Sequence, residues 1–235
     1  MWLTKTSIGR KAVMAVTGIA LVLFLTFHAC MNVVSLFSAK GYNAICESLG
    51  ANWYAVAATI VLGILILVHF AVAIRISVWN HQARPEKYAV THKNDAIEWS
   101  SQHMLALGVI VLGGLFLHLY NFFGNMMLEE IIGGDKEMAT NGIYHIISTF
   151  YGPKDCRGMG IFFTICYLIW FAALWFHLNH GIWSSMQSLG INNSQWMPRI
   201  RRISNIYSTV IILMFACVAV LYCLGYTPAD INDVI

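Results

Sequence analysis

Five stretches of this 235-residue chain contain no Asp, Glu, Lys or Arg: residues 12–39, 48–74, 99–128, 158–198 and 203–229. No other feature restricts the fold as strongly. A helix of a soluble protein shows a polar face to water. About 20 consecutive, mostly apolar residues instead suit the hydrocarbon core of a bilayer. Each stretch is long enough for one crossing. Composition points the same way: 58% of residues are apolar, 11% are charged and the mean hydropathy is +0.65. Soluble domains carry about 25% charged residues. The expected fold is all-α and integral to a membrane. It is a single domain over 1–235, with five transmembrane helices whose cores are near 12–37, 53–79, 103–127, 160–186 and 206–226. The first stretch follows Lys5, Arg10 and Lys11, which a secretory signal also does. It is too long for one and lacks a small-x-small cleavage site, so it reads as a retained helix.

Loop charge orients the chain. Lys5, Arg10, Lys11, Arg75, Arg84, Lys87, Lys93, Arg199, Arg201 and Arg202 fall on one side, and Lys40, Lys136, Lys154 and Arg157 on the other. The positive-inside rule puts the N-terminus in the cytoplasm and the C-terminus outside. The first outer loop, 38–52, is short. The second, 128–158, is the largest and holds two turn signals, Gly133-Gly134 and Gly152-Pro153. Its middle, 139–150, reads as an amphipathic helix on the membrane surface. The inner loop 80–102 is basic and broken by Pro85. The inner loop 187–202 ends in Pro198-Arg199-Ile200-Arg201-Arg202. This leaves no room for a soluble catalytic domain, so any substrate chemistry belongs to a partner. The six cysteines form no Cys-x-x-Cys, which removes structural zinc, thioredoxin chemistry and covalent haem attachment. Cys46 and Cys156 share the outer side, but apolar packing without a disulfide is the expectation for each.

Within the apolar stretches lie His28, His69, His118 and His177. An ionisable ring at such depth needs a compensating role. His28 stands 12 residues before Lys40 and His118 stands 11 before Glu129; His69 stands 22 after Glu47 and His177 stands 20 after Arg157. Counted from the outer side, His28 and His118 form an outer layer, and His69 and His177 an inner one. At 1.5 Å per residue the layers are about 15 Å apart. Two helices contributing one imidazole each, at two depths, would hold two haem irons in a four-helix bundle made by the first four spans. A lone membrane histidine more often bonds across a helix interface; agreement among four favours the ligand reading. His180 lies three residues after His177, on nearly the same face, and either can serve. His81, His92, His103 and His145 lie in loops or at helix ends and read as solvated or interfacial. Gly18, Gly63, Gly108, Gly113, Gly114 and Gly160 suit close helix packing or room for a flat macrocycle, and packing is expected for most.

Several motifs carry a family resemblance: Ser7-Ile8-Gly9-Arg10-Lys11 through Thr17-Gly18, Phe27-His28, His69 with Arg75, Leu117-His118-Leu119-Tyr120, and His177-Leu178-Asn179-His180-Gly181. Across nearly its whole length the chain resembles the single-chain, di-haem cytochrome b anchor of succinate dehydrogenase and quinol:fumarate reductase. The resemblance implies two haem b groups in a bacterial cytoplasmic membrane, with His69 and His177 on the inner iron and His28 and His118 on the outer. It favours His177 over His180, because the family's ligand stands four before the glycine. It implies a flavoprotein subunit and an iron–sulfur subunit on the cytoplasmic face, electron exchange with the inner haem, and a quinone, menaquinone by resemblance, near the outer haem. Nucleic acid is not among the expected partners. Arg75 and His180 are the candidates for inner-haem propionate contacts. Arg10, Lys11, Lys93 and residues 199–202 face either partner subunits or anionic lipid. Glu47, at the start of the second span, is the best-placed carboxylate to exchange protons with quinone. Some relatives carry a glutamate two residues before the fourth-span ligand; Trp175 stands there in this chain, leaving that proton route without its carboxylate. Two other readings stay open: the di-haem anchor of a hydrogenase or nitrate reductase, and a transporter whose histidines bind substrate or relay protons. The transporter reading lacks the carboxylates that usually accompany such relays.

Overall fold

The computed structural model of the chain describes residues 6–82, 99–153 and 155–234. Lys5, Arg84, Lys87, Lys93 and Lys154 of the loop-charge count, together with Pro85 and His92, lie outside the described residues. Among the described residues every regular element is helical. In chain order these are α1 (Ser7–Val34), α2 (Ala39–Ser48), α3 (Trp53–Gln82), α4 (Met104–Ile131), α5 (Lys136–Thr140), α6 (Gly142–Phe150), α7 (Arg157–Ser188) and α8 (Trp196–Cys223). A short turn, Trp99–Gln102, precedes α4. Five of them, α1, α3, α4, α7 and α8, are long and apolar enough to cross a membrane. Leu23, Ile60, Leu67, Val109, Ile169 and Leu213 point outward from these five and are exposed in the isolated chain. Lipid removes such surface from water, worth about 25 cal/mol per Å².

The ends of the helices depart from the sequence reading for local reasons. α1 begins at Ser7 because the Thr6 hydroxyl accepts the Gly9 N–H at 3.0 Å. α8 begins about ten residues before the expected 206. Pro198 sits in its first turn, where a missing N–H costs nothing. The apolar count marks the bilayer core, and this helix continues past it into the basic cluster. The short outer loop expected over 38–52 contains a helix, α2. Its N-cap Ser38 accepts the Gly41 N–H at 3.0 Å. Asp230 binds the same end through Ser38 Oγ and Ala39 N, both at 2.7 Å, and Lys40 N at 3.1 Å.

α4 changes winding just past its histidine. Leu119–Leu128 is a ten-residue π-helix. Asn125 donates its side-chain amide to the Tyr120 and Asn121 carbonyls at 3.1 and 3.0 Å, competing with the main-chain ladder. The helix then runs through Glu129 and Glu130, placed by sequence in the outer loop. The Glu130 side chain is 12% exposed; it accepts the Ala51 N–H at 2.7 Å and faces Lys136 at 3.7 Å.

The main core lies at the end of the bundle that carries α2 and α6. Ile143, Ile146 and Phe150 of α6 pack with Ala39 and Tyr42 of α2, Tyr167 and Phe171 of α7, and Val218, Ala219 and Tyr222 of α8. The expected surface helix over 139–150 therefore forms as α6, but its apolar face meets protein instead of lipid. Gly152 takes φ +95°, and a Cβ on Gly160 would stand 2.3 Å from the Tyr151 backbone, so the α6–α7 corner closes tightly.

The spanning helices form a ring. α1 packs on α3 and on α7, and α4 packs on α7 and approaches α3 more sparsely; α8 covers α7 and α1. α1 and α4 thus face one another across one diagonal, and α3 and α7 across the other.

Candidate cofactor site

Each diagonal carries one imidazole pair. The His28 and His118 rings stand 5.7 Å apart between centroids, at 83°. The His69 and His177 rings stand 6.4 Å apart, at 66°. These are the two pairs that counting depth along the sequence assigns. His180 turns elsewhere: it is buried, its ring packed edge-on at 4.6 Å against Trp183. His177, not His180, therefore faces His69.

The outer pair lies among aromatic rings. Phe24 stacks on His28 at 5.4 Å, and Phe215 stands at 5.8 Å. Phe122, Trp170 and Tyr167 surround His118 at 5.2, 5.9 and 6.4 Å. Trp170 is fixed by donating its indole N–H to the Val111 carbonyl at 2.9 Å, and a Cβ on Gly114 would fall 2.1 Å from it. Gly114 is thus a packing glycine, as is Gly160. Gly18 and Gly108 instead stand beside the inner rings, where an added Cβ would lie 3.4 Å from His69 Cε1 and 3.8 Å from His177 Cε1; at Gly63 and Gly113 it would meet nothing within 4 Å.

The donor set favours a macrocycle over a bare ion. Among the described residues no group of three or more His, Cys, Asp or Glu forms a metal-ion site. A zinc-type centre takes three or four protein ligands. A haem iron receives four nitrogens from its own ring and needs only two from protein. With about 2 Å from metal to imidazole nitrogen, two trans imidazoles have centroids about 6 Å apart, and both observed separations lie close to that. The buried His177 Nδ1 has no hydrogen-bond partner within the protein, and an orphaned buried nitrogen costs about 1–3 kcal/mol. The residues present fit two bis-imidazole haems, with His28 and His118 as one ligand set and His69 and His177 as the other.

The remaining candidates are more dispersed. Glu47 is exposed on α2, not at the start of the second span, and its carbonyl, not its carboxylate, accepts from Asn52 at 3.2 Å. Arg75 is exposed toward the C-terminal end of α3, its guanidinium 5.7 Å from the Trp79 ring; Arg10 stands over the same ring at 3.6 Å and joins α1 to α3. Arg201 lies 4.3 Å over Trp183, beside His180. Trp175 donates to Thr209 Oγ1 at 3.0 Å and ties α7 to α8. Cys46 and Cys156 are both free thiols. His145 is buried, contrary to its solvated reading, because α6 turns it inward, where it donates Nε2–H to the Met138 carbonyl at 3.0 Å. Burial holds its pKa below the ordinary histidine value.

Sequence reasoning missed Asn121, buried on the π-helix with its amide 3.4 Å from the Tyr167 hydroxyl. It also missed Thr17, whose Oγ1 is 3.0 Å from His69 Nδ1. No known protein family, no curated protein and no solved structure matches the chain.

Proposed function

We propose that the chain is a di-haem b membrane anchor of a succinate:quinone oxidoreductase. It would carry electrons between an iron–sulfur subunit on the cytoplasmic side and quinone in the bilayer, while the dicarboxylate chemistry proceeds on a flavoprotein partner. One observation carries this reading: two imidazole pairs at two depths, one across each diagonal of a four-helix ring, each close enough that one iron would be held by both its imidazoles. The motif resemblance, from Ser7 to Gly181, supplies the choice of complex.

When bound, each haem supplies a one-electron relay. The chain's own residues do the rest. His28 with His118, and His69 with His177, would fix the two irons at separate depths. Phe24, Phe122, Trp170 and Phe215 exclude water from the outer pair, and an apolar shell of this kind sets potential. α2 and α6 close the outer end over that layer. Arg10, Arg75 and Arg201 gather positive charge at the inner end, where propionates and an iron–sulfur partner would approach.

A reduced-minus-oxidised spectrum of the purified, assembled protein tests the reading. Two b-type haems per chain are expected, together with copurifying flavin and iron–sulfur subunits. Absence of haem would sink the proposal. Two haems with a hydrogenase-type or nitrate-reductase-type partner would reassign the complex while leaving the di-haem reading intact.

A further inference from the structure

The inner pair differs from the outer in one respect: one of its rings is held by a hydroxyl. Thr17 of α1 is 6% exposed. Its Oγ1 lies 2.8 Å from the Val13 carbonyl, 3.1 Å from the Met14 carbonyl and 3.0 Å from His69 Nδ1. A hydroxyl has a single hydrogen. The carbonyls one turn back can only accept, and the shorter contact, to Val13, takes that hydrogen. Oγ1 is left as the acceptor toward His69, so Nδ1 carries the ring proton and Nε2 carries the lone pair. The neighbouring residue, Gly18, brings the α1 backbone against the same ring, an added Cβ standing 3.4 Å from His69 Cε1.

We infer that Thr17 is a positioning residue for the inner haem: it fixes the tautomer and orientation of His69 so that Nε2 faces the iron. This rests on the di-haem reading above. A hydroxyl acceptor on the far nitrogen also strengthens the imidazole as a donor, which favours ferric iron and lowers the potential of that haem. The outer pair shows no equivalent contact among the described residues, so the effect is confined to one haem.

The test is potentiometric titration of the assembled complex carrying Thr17→Val or Thr17→Ser, with haem content and low-spin electron paramagnetic resonance measured alongside. In Thr17→Val the inner midpoint rises, on the order of a tenfold shift in the reduced-to-oxidised ratio, about 59 mV for one electron. The outer midpoint stays where it was, and Thr17→Ser behaves as wild type. Selective loss of the inner haem from Thr17→Val, retained in Thr17→Ser, supports the same role. If Thr17→Val does not assemble, Thr17→Ala carries the same expectation. An inner haem with an unmoved potential and signal in the valine or alanine variant overturns the inference. So does a serine variant shifted as far as valine, because packing rather than the hydroxyl would then be responsible. A wild-type protein without haem fails the parent proposal instead, and the two failures are told apart before any variant is made.

Discussion

One turn of α7 separates two histidines with different surroundings. His177 meets His69 across the ring of helices, and His180 rests on Trp183. Replacing His177 or His69 with alanine is expected to remove one b-type haem from the difference spectrum, while His180→Ala retains both. His28→Ala and His118→Ala should remove the other haem. Gly114 makes a second residue-scale test. The Trp170 indole occupies the space a Cβ would need and is held there by the Val111 carbonyl. Gly114→Ala should therefore destabilise by about 1–3 kcal/mol through overpacking, read as a lower Tm. Adding Trp170→Leu should recover part of the loss; simple additivity of the two changes would contradict the contact. The histidines were legible in the sequence because ionisable rings are conspicuous among apolar residues and helical rise converts spacing into depth. The same count places Thr17 eleven residues before His28, at the depth of His69. That signal was present and unread, since a threonine can satisfy itself on its own helix and gives no sign of a partner on another.

At the scale of elements, the C-terminal tail holds α2 through Asp230. The Ala39 N–H, the Ser38 hydroxyl and the Lys40 N–H hold its pKa down at about 2. A carboxylate depressed in the folded state stabilises fully above its unfolded value near 4 and loses that contribution as pH falls through the folded one. The protection of α2 amides against hydrogen exchange, relative to the intrinsic rate at each pH, should thus be unchanged from pH 7 to about 5 and fall between about 4 and 2. Asp230→Asn should show the lowered protection already at neutral pH. Lys40, drawn to Asp233 at 2.9 Å, supports the same junction from the rim. None of this could be read from hydropathy. α2 sits in a short polar loop, and the carboxylate that binds its capped end comes from a residue 190 positions away. The π-helix was hidden for a related reason: Asn121 and Asn125 read only as uncharged residues in an apolar run, and winding depends on which carbonyls an amide reaches. The five long helices were legible throughout, because crossing a bilayer places a demand on length and charge that the sequence states directly.

For the molecule as a whole, the sidedness given by loop charge is open to a thiol test. Cys156 is exposed in the expected outer loop, whereas Cys46 is enclosed by Tyr42 and Gly142. Burial pushes the Cys46 thiol up to about 11, against the hydrogen bonds from Tyr42 and the Gly142 N–H that lower it. At neutral pH it is almost wholly protonated and a poor nucleophile. A membrane-impermeant maleimide added to right-side-out vesicles should label Cys156 and spare Cys46 until the protein is denatured. Labelling of Cys156 only from the opposite face would reverse the topology.

The arrangement of helices has a mechanical side. A four-sided frame with joints only along its edges shears freely, and struts across the corners make it stiff. α1, α3, α4 and α7 touch along the sides of such a frame, and the sparse α3–α4 edge is its weakest joint. Among the described residues, the ring contacts reaching corner to corner are the two histidine pairs, set at different heights. Whatever joins those imidazoles therefore acts as two crossed braces.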